Sequence, residues 1–231
     1  MANATTIFIP GLLCTEWLFH HQRDAVPGGA LFADTRQHDT MTAMAEAALA
    51  QAPGQIIPIG LSMGGYVALE MARLAPLRIS AMALLSTSCR QDNDAQRANR
   101  EQAIKLAGQD GFRGMTRQFL EKCLSPTALA DPILVEGVLA MAADIGRGVF
   151  AQQQKAILGR RDQRDVLATF SAPLLIMCGT DDKLTPPPLS AEMAALAPHA
   201  DMRLLPDVGH LSPLESPYAC RRALLDVLAL A

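Results

Sequence analysis

A basic surplus is missing from this chain of 231 residues: 20 Lys and Arg stand against 23 Asp and Glu, for a formal net charge of −3. Nucleic-acid binding relies on a basic surface that neutralises phosphates, so no nucleic acid is expected as partner. No block of like charges marks a tail or a membrane-surface patch. No apolar run reaches the roughly 18 residues a spanning helix needs. Residues 1–9 show no basic region followed by an apolar stretch, so no signal peptide and no membrane attachment are expected. The five cysteines, Cys14, Cys89, Cys123, Cys178 and Cys220, are odd in number and scattered, and none forms a Cys-x-x-Cys pair. That spacing supports neither a zinc site nor a disulfide framework. Reduced thiols in a cytoplasmic protein fit it better. Internal repeats and low-complexity segments are also missing.

What is present is alternation. Short apolar runs at residues 5–9, 30–33, 55–59, 81–85, 172–178 and 202–205 are separated mostly by helical spacing, the pattern of parallel strands joined by crossover helices. Pro58 sits inside the third run, where it removes a ladder donor. Helices are predicted over 41–50, with Thr40 or Thr42 as cap, over 66–75, closed by Pro76, and over 213–230. Ser212, Pro213 and Glu215 give that last helix a capping-box start. The expected fold is α/β, with six strands in one mainly parallel sheet flanked by helices. Residues 90–165 break the alternation with four candidate helices, 97–106, 112–123, 133–143 and 149–158, punctuated by glycine and proline. They read as a helical cap inserted into a core made of residues 1–89 and 166–231.

One short motif carries the chemistry. Gly60-Leu61-Ser62-Met63-Gly64 follows an Ile-rich strand and opens a helix. A serine on so sharp a turn is held in a strained backbone, and side chains two residues either side would collide with it. A serine hydroxyl is a poor nucleophile until a base takes its proton. His210 lies in the loop after the last strand, at the sheet edge where Ser62 also emerges. His20, His21, His38 and His199 are placed less favourably. The imidazole needs an acceptor to fix its tautomer. Asp181 and Asp182 follow the penultimate strand at that same edge, and Asp207 lies three residues before the histidine.

With Pro10-Gly11-Leu12-Leu13, the elbow Gly60-Leu61-Ser62-Met63-Gly64-Gly65, and Gly179-Thr180-Asp181-Asp182 paired with Gly209-His210, the chain resembles the α/β-hydrolase superfamily, in particular its compact carboxylesterase-like and enol-lactonase-like members. The resemblance implies an α/β-hydrolase fold and a Ser62, His210, Asp182 triad, the family's spacing from glycine to acid selecting Asp182. It implies an oxyanion hole from the backbone N–H groups of Leu12 and Met63. The family's His-Gly after the first strand is replaced here by Pro10-Gly11, and its N-terminal antiparallel hairpin is not expected. Trp17, Met115, Phe119 and Met141 are candidate pocket walls.

The function expected is a serine hydrolase that cleaves a small-molecule carboxylic ester or lactone through an acyl-enzyme, with no metal or organic cofactor. Alternatives on the same fold and triad are thioesterase, acyltransferase, carbon–carbon bond hydrolase and cofactor-free haloperoxidase chemistry. A non-catalytic ligand-binding protein is the alternative of another class.

Overall fold

Six apolar runs feed one sheet. In the computed structural model, which describes residues 4–109 and 114–231, they form β1 (Thr5–Ile9), β2 (Ala30–Phe32), β3 (Ile56–Leu61), β4 (Met82–Leu85), β5 (Leu174–Gly179) and β6 (Asp201–Leu205). All neighbouring strands are parallel, in the order β2-β1-β3-β4-β5-β6. The α/β-hydrolase fold expected from the motifs is the fold observed. Every residue of β3, β4 and β5 is buried, and strands covered on both faces read as unbroken apolar runs. The edge strands β2 and β6 keep exposed positions.

Pro58 is tolerated in β3 for a local reason. Its nitrogen faces the same side as that of Ser62, whose N–H donates to Leu85. On that side β4 has barely begun: a lone bridge joins Ile56 to Ile79, and pairing resumes only at Ile59 with Ala83. The absent donor therefore falls in a gap of the ladder.

The chain leaves β1 for β2 at one edge and returns to β3 on β1's other side. Loops after β1 and β3 therefore diverge, and such a switch point opens a crevice at the carboxyl ends of the strands. Around the sheet lie α1 (His20–Arg23), α2 (Met41–Ala50), α3 (Met63–Leu74), α9 (Pro187–Leu196), α10 (Ser212–Glu215) and α11 (Pro217–Leu228). Strand alternation sends Ile7, Ile9 and Ile56 into one apolar layer and Phe8, Ile57 and Ile59 into the other.

Between β4 and β5 run only helices among the described residues: α4 (Asp94–Ala107), α5 (Arg117–Cys123), α6 (Pro126–Leu129), α7 (Pro132–Leu158) and α8 (Arg164–Thr169). Two of the predicted helices, 133–143 and 149–158, fall within α7, which breaks at Gly146, where φ is 69° and ψ 169°. The helix predicted over 112–123 begins at Arg117, after Thr116 accepts from the Phe119 N–H at 3.2 Å. Residues 112 and 113 lie outside the described residues. The single last helix is a correction: it is two, because Ser216 leaves helical backbone (φ −138°, ψ 64°) and Pro217 starts α11. Nor does the capping box form. Ser212 Oγ is buried without a hydrogen-bond partner among the described residues, and Glu215 turns to other N–H groups.

Two buried carboxylates tie the helices together. Glu70 on α3 accepts from Arg73 at 2.8 and 2.9 Å, from Thr42 and from Gln163. Asp92 accepts from Arg100 at 2.6 Å and from Arg160 at 2.8 Å. Burial pushes both carboxyls up, but the guanidiniums and hydrogen bonds outweigh it and hold both below their ordinary values. A carboxyl depressed in the folded state contributes stability above its unfolded value, near 4, and loses it as pH falls through the folded value. Melting temperature is therefore expected to hold steady from neutral pH to about 5 and to drop below about 4, by about 2–4 °C per kcal/mol lost. Thermal melts across that range test this, and a flat profile down to about pH 3 would contradict it.

Candidate active site

The turn from β3 into α3 is built by sterics. A side chain on Gly60 would run into the Gly64 carbonyl, and one on Gly64 into that of Ile9. Only glycines let the elbow close and press against the end of β1. Ser62 sits at its apex with φ 55° and ψ −115°, a conformation costly for any residue with a Cβ. Backbone bonds hold it there. Its N–H donates to Leu85 at 2.9 Å, and its carbonyl accepts from the Thr87 hydroxyl at 2.7 Å and the Gly65 N–H at 2.9 Å. Met63, at the N-terminus of α3, is fully buried.

Close packing of Gly64 on Ile9 brings the loop after β1 beside the serine. A Cβ on Gly11 would stand 3.4 Å from that of Ser62. Leu12 lines the same cavity as Ser62, and Leu13 turns the chain with φ 60°. The Leu13 N–H donates to Gln153 Oε1 at 3.1 Å, and Gln153 Nε2 donates to Thr35 Oγ1 at 3.2 Å. A fully buried glutamine from α7 thus fixes the loop in which Pro10-Gly11 stands in place of the family's His-Gly. A polar residue on the buried side of α7 was the only sign of it in the sequence, and that sign names no partner.

On the other side of the cavity, the loop after β6 carries His210. Its N–H donates to the Cys123 carbonyl at 2.7 Å. Its Nδ1 lies 3.0 and 2.9 Å from the two carboxylate oxygens of Asp182. Both residues are buried. Asp182 Oδ1 also accepts from the N–H groups of Leu184 and Thr185, each at 2.9 Å, and Oδ2 from the Thr185 hydroxyl at 2.8 Å. Burial pushes this carboxyl up, but His210 and Thr185 more than offset that and hold it below the usual range. Of the three candidate acids, Asp182 is the one at the imidazole. Asp181 serves the turn through its backbone, donating to Val208 at 2.9 Å. Asp207 is an exposed turn residue with φ 58°, its N–H on Thr180 Oγ1.

Glu215, expected in a helix cap, braces the histidine loop instead. Its carboxylate accepts from Gly209 at 2.9 Å and Leu211 at 3.0 Å, one on each side of His210, and from Ser125 at 2.9 Å. Gly209 is required there, because a Cβ would meet Ser125 N at 2.6 Å and Cys123 O at 2.7 Å.

Ser62, Thr185 and His210 open into one cavity of about 270 Å³, which Met115 and Phe119 also line. Trp17 and Met141 do not line it. The Trp17 ring fills the slot over Gly137 of α7 and stacks on His20 at 4.9 Å, while Met141 is buried in the apolar layer. Cys14 and Cys123 line the cavity, but burial raises the Cys14 thiol to about 12 and the Cys123 thiol well above its ordinary value. Neither supplies a thiolate at neutral pH. Among the described residues no group of three or more His, Cys, Asp and Glu could hold a metal ion, and no helix is long and apolar enough to cross a membrane.

The chain has counterparts among known proteins. A family model described as the alpha/beta hydrolase family matches residues 7–223. A Mycobacterium tuberculosis protein that carries the name of a non-heme bromoperoxidase is 28% identical over 186 residues, spanning 77% of this chain and 69% of that protein. The pimeloyl-[acyl-carrier protein] methyl ester esterase of Yersinia enterocolitica is 28% identical over 198 residues, spanning 81% and 74%. In fold, the chain is similar to a thermophilic esterase from Thermogutta terrifontis, with a TM-score of 0.87, 24% identity, and coverage of 98% and 89%.

Proposed function

Because the chain belongs to the alpha/beta hydrolase family, we propose that it is a serine hydrolase that cleaves small-molecule carboxylic esters or lactones through an acyl-enzyme. The observation that carries this reading is that the buried His210, paired at Nδ1 to Asp182, opens into the same cavity as Ser62 on its elbow. In this mechanism Ser62 Oγ attacks the ester carbonyl carbon as His210 Nε2 takes the hydroxyl proton. Asp182 holds Nδ1–H and stabilises the imidazolium. The N–H groups of Leu12 and Met63 receive the oxyanion, Met63 with the added field of the α3 N-terminus. Gln153 keeps the first of these donors in place through Leu13. His210 then returns the proton to the leaving alcohol and activates the water that frees the acid.

The helices α4 to α7 act as the cap of this site, Phe119 of α5 and Met115 just before it lending side chains to its wall. The methyl ester specificity in the name of the Yersinia relative favours an ester over the thioester and carbon–carbon alternatives.

The direct test is covalent. A fluorophosphonate probe is expected to add to the chain stoichiometrically, with the adduct mapping by mass spectrometry to the peptide carrying Ser62. Short p-nitrophenyl esters should protect against it. An adduct on another residue, or none, would remove the mechanism.

A further inference from the structure

The cavity has two unlike walls. Apolar groups come from α5 and the segment just before it, from the loops after β1 and β5, and from α9: Leu12, Met115, Phe119, Leu184 and Leu189. The facing wall, from the β4–α4 connection, α4 and the end of α7 with the residues just after it, is polar and one-signed. Its charged members are Arg90, Arg100 and Arg160, and among the described residues no Asp or Glu lines the cavity.

Counting charge on that wall leaves a remainder. Asp92 lies behind it, its side chain fully buried, paired to Arg100 and Arg160. Glu192 pairs with Arg90 at 2.7 Å. Three guanidiniums thus meet two carboxylates. One guanidinium suffices to compensate a buried Asp92, so the second is in excess. Arg160 is spent on structure: it donates to the carbonyls of Arg90 and Ile157 as well as to Asp92, and it covers the Tyr66 ring at 4.3 Å. Arg100 is not. Of its five N–H donors, it commits Nε and Nη2 to Asp92 and Nη1 to Gln154 Oε1 at 2.8 Å, and its side chain keeps 20% exposure at the cavity wall. Arg90, half-exposed, is a second cation on the same wall.

We infer that the substrate carries, besides the scissile ester, a free carboxylate that Arg100 receives with help from Arg90. The inference rests on the ester-hydrolase reading and names its substrate class: half-esters of dicarboxylic acids. A planar carboxylate suits the guanidinium fork. A single surplus positive charge matches a monoanion, whereas a dianionic phosphate would leave a negative charge unmatched in a partly apolar cavity.

The test compares monomethyl succinate, adipate and suberate with methyl butyrate, hexanoate and octanoate, followed by proton release at low salt. The wild type is expected to favour the best half-ester over its neutral counterpart by about tenfold or more in kcat/KM, the yield of one charge-assisted hydrogen bond. That ratio should collapse toward unity in Arg100→Gln, fall part-way in Arg90→Gln, and shrink as salt is added. A wild-type ratio at or below unity, or one that neither substitution changes, overturns the inference. If Arg100→Gln fails to fold, Arg90→Gln decides, since its side chain is half in solvent. If the wild type cleaves no ester at all, the hydrolase reading has failed by itself. The subsite is then judged by titrating adipate into the wild type calorimetrically. Binding weakened by these substitutions upholds the subsite, and no binding overturns it.

Discussion

Replacing Ser62 by alanine is expected to lower kcat for ester hydrolysis by about a millionfold while leaving the fold in place. The two halves of that result have different causes. The first follows from chemistry: without the hydroxyl no acyl-enzyme forms, and only the oxyanion donors and substrate positioning still act on water attack. The second follows from how the elbow is held. The bonds that fix residue 62 run through its backbone to Leu85, Thr87 and Gly65. Alanine keeps the Cβ and hence the same strain at φ 55°. Stability should therefore shift by no more than about 0.5 kcal/mol. Steady-state kinetics beside a thermal melt read both halves. A folded Ser62→Ala chain that keeps a hundredth of the wild-type rate would exclude Ser62 as nucleophile.

How much of this was legible beforehand depends on the range of the interaction. The central strands were legible because burial on both faces leaves an unbroken apolar run, as in β3, β4 and β5. Topology then did further work: in a parallel sheet the loops after β3, β5 and β6 open at one edge, so Ser62, His210 and the adjacent Asp181 and Asp182 could be brought to one edge from order alone, while the choice of Asp182 came from the family resemblance. The elbow glycines were legible for a local steric reason.

What failed was decided by partners distant in sequence. Gln153 meets Leu13 across 140 positions and Glu215 meets Ser125 across 90, and neither pairing leaves a local trace. Ser212 and Glu215 had the spacing of a capping box, but three unpaired N–H groups around His210 and at Ser125 competed for the carboxylate and won. Trp17 sits next to the loop after β1, yet Gly137 offered its ring a fitted slot on α7. An apolar side chain follows the best contact rather than the nearest site.

Asp182→Asn is expected to lower kcat by about ten-thousandfold with little change in KM, and Asp181→Asn to leave both within about twofold. The asymmetry comes from hydrogen-bond polarity. Both oxygens of Asp182 stand within 3.0 Å of His210 Nδ1, but Oδ1 also receives two backbone N–H groups, from Leu184 and Thr185. Oδ2 has besides the imidazole only the Thr185 hydroxyl, which can turn to donate or accept, and the weak, longer Cys178 thiol contact. A carboxamide placed there must keep its oxygen on the two N–H donors, which turns its NH₂ toward His210 Nδ1. That nitrogen is then forced to accept, the proton moves to Nε2, and the imidazole can no longer take a proton from Ser62. Asp181, by contrast, serves its turn through its backbone N–H, which an asparagine retains. Kinetics on the two variants separate adjacent carboxylates that differ only in which way the turn points them. A large loss in Asp181→Asn with Asp182→Asn intact would reverse the assignment. Equal small losses in both would mean that the imidazole needs no carboxylate here, and the acyl-enzyme mechanism would have to rest on Ser62 and His210 alone.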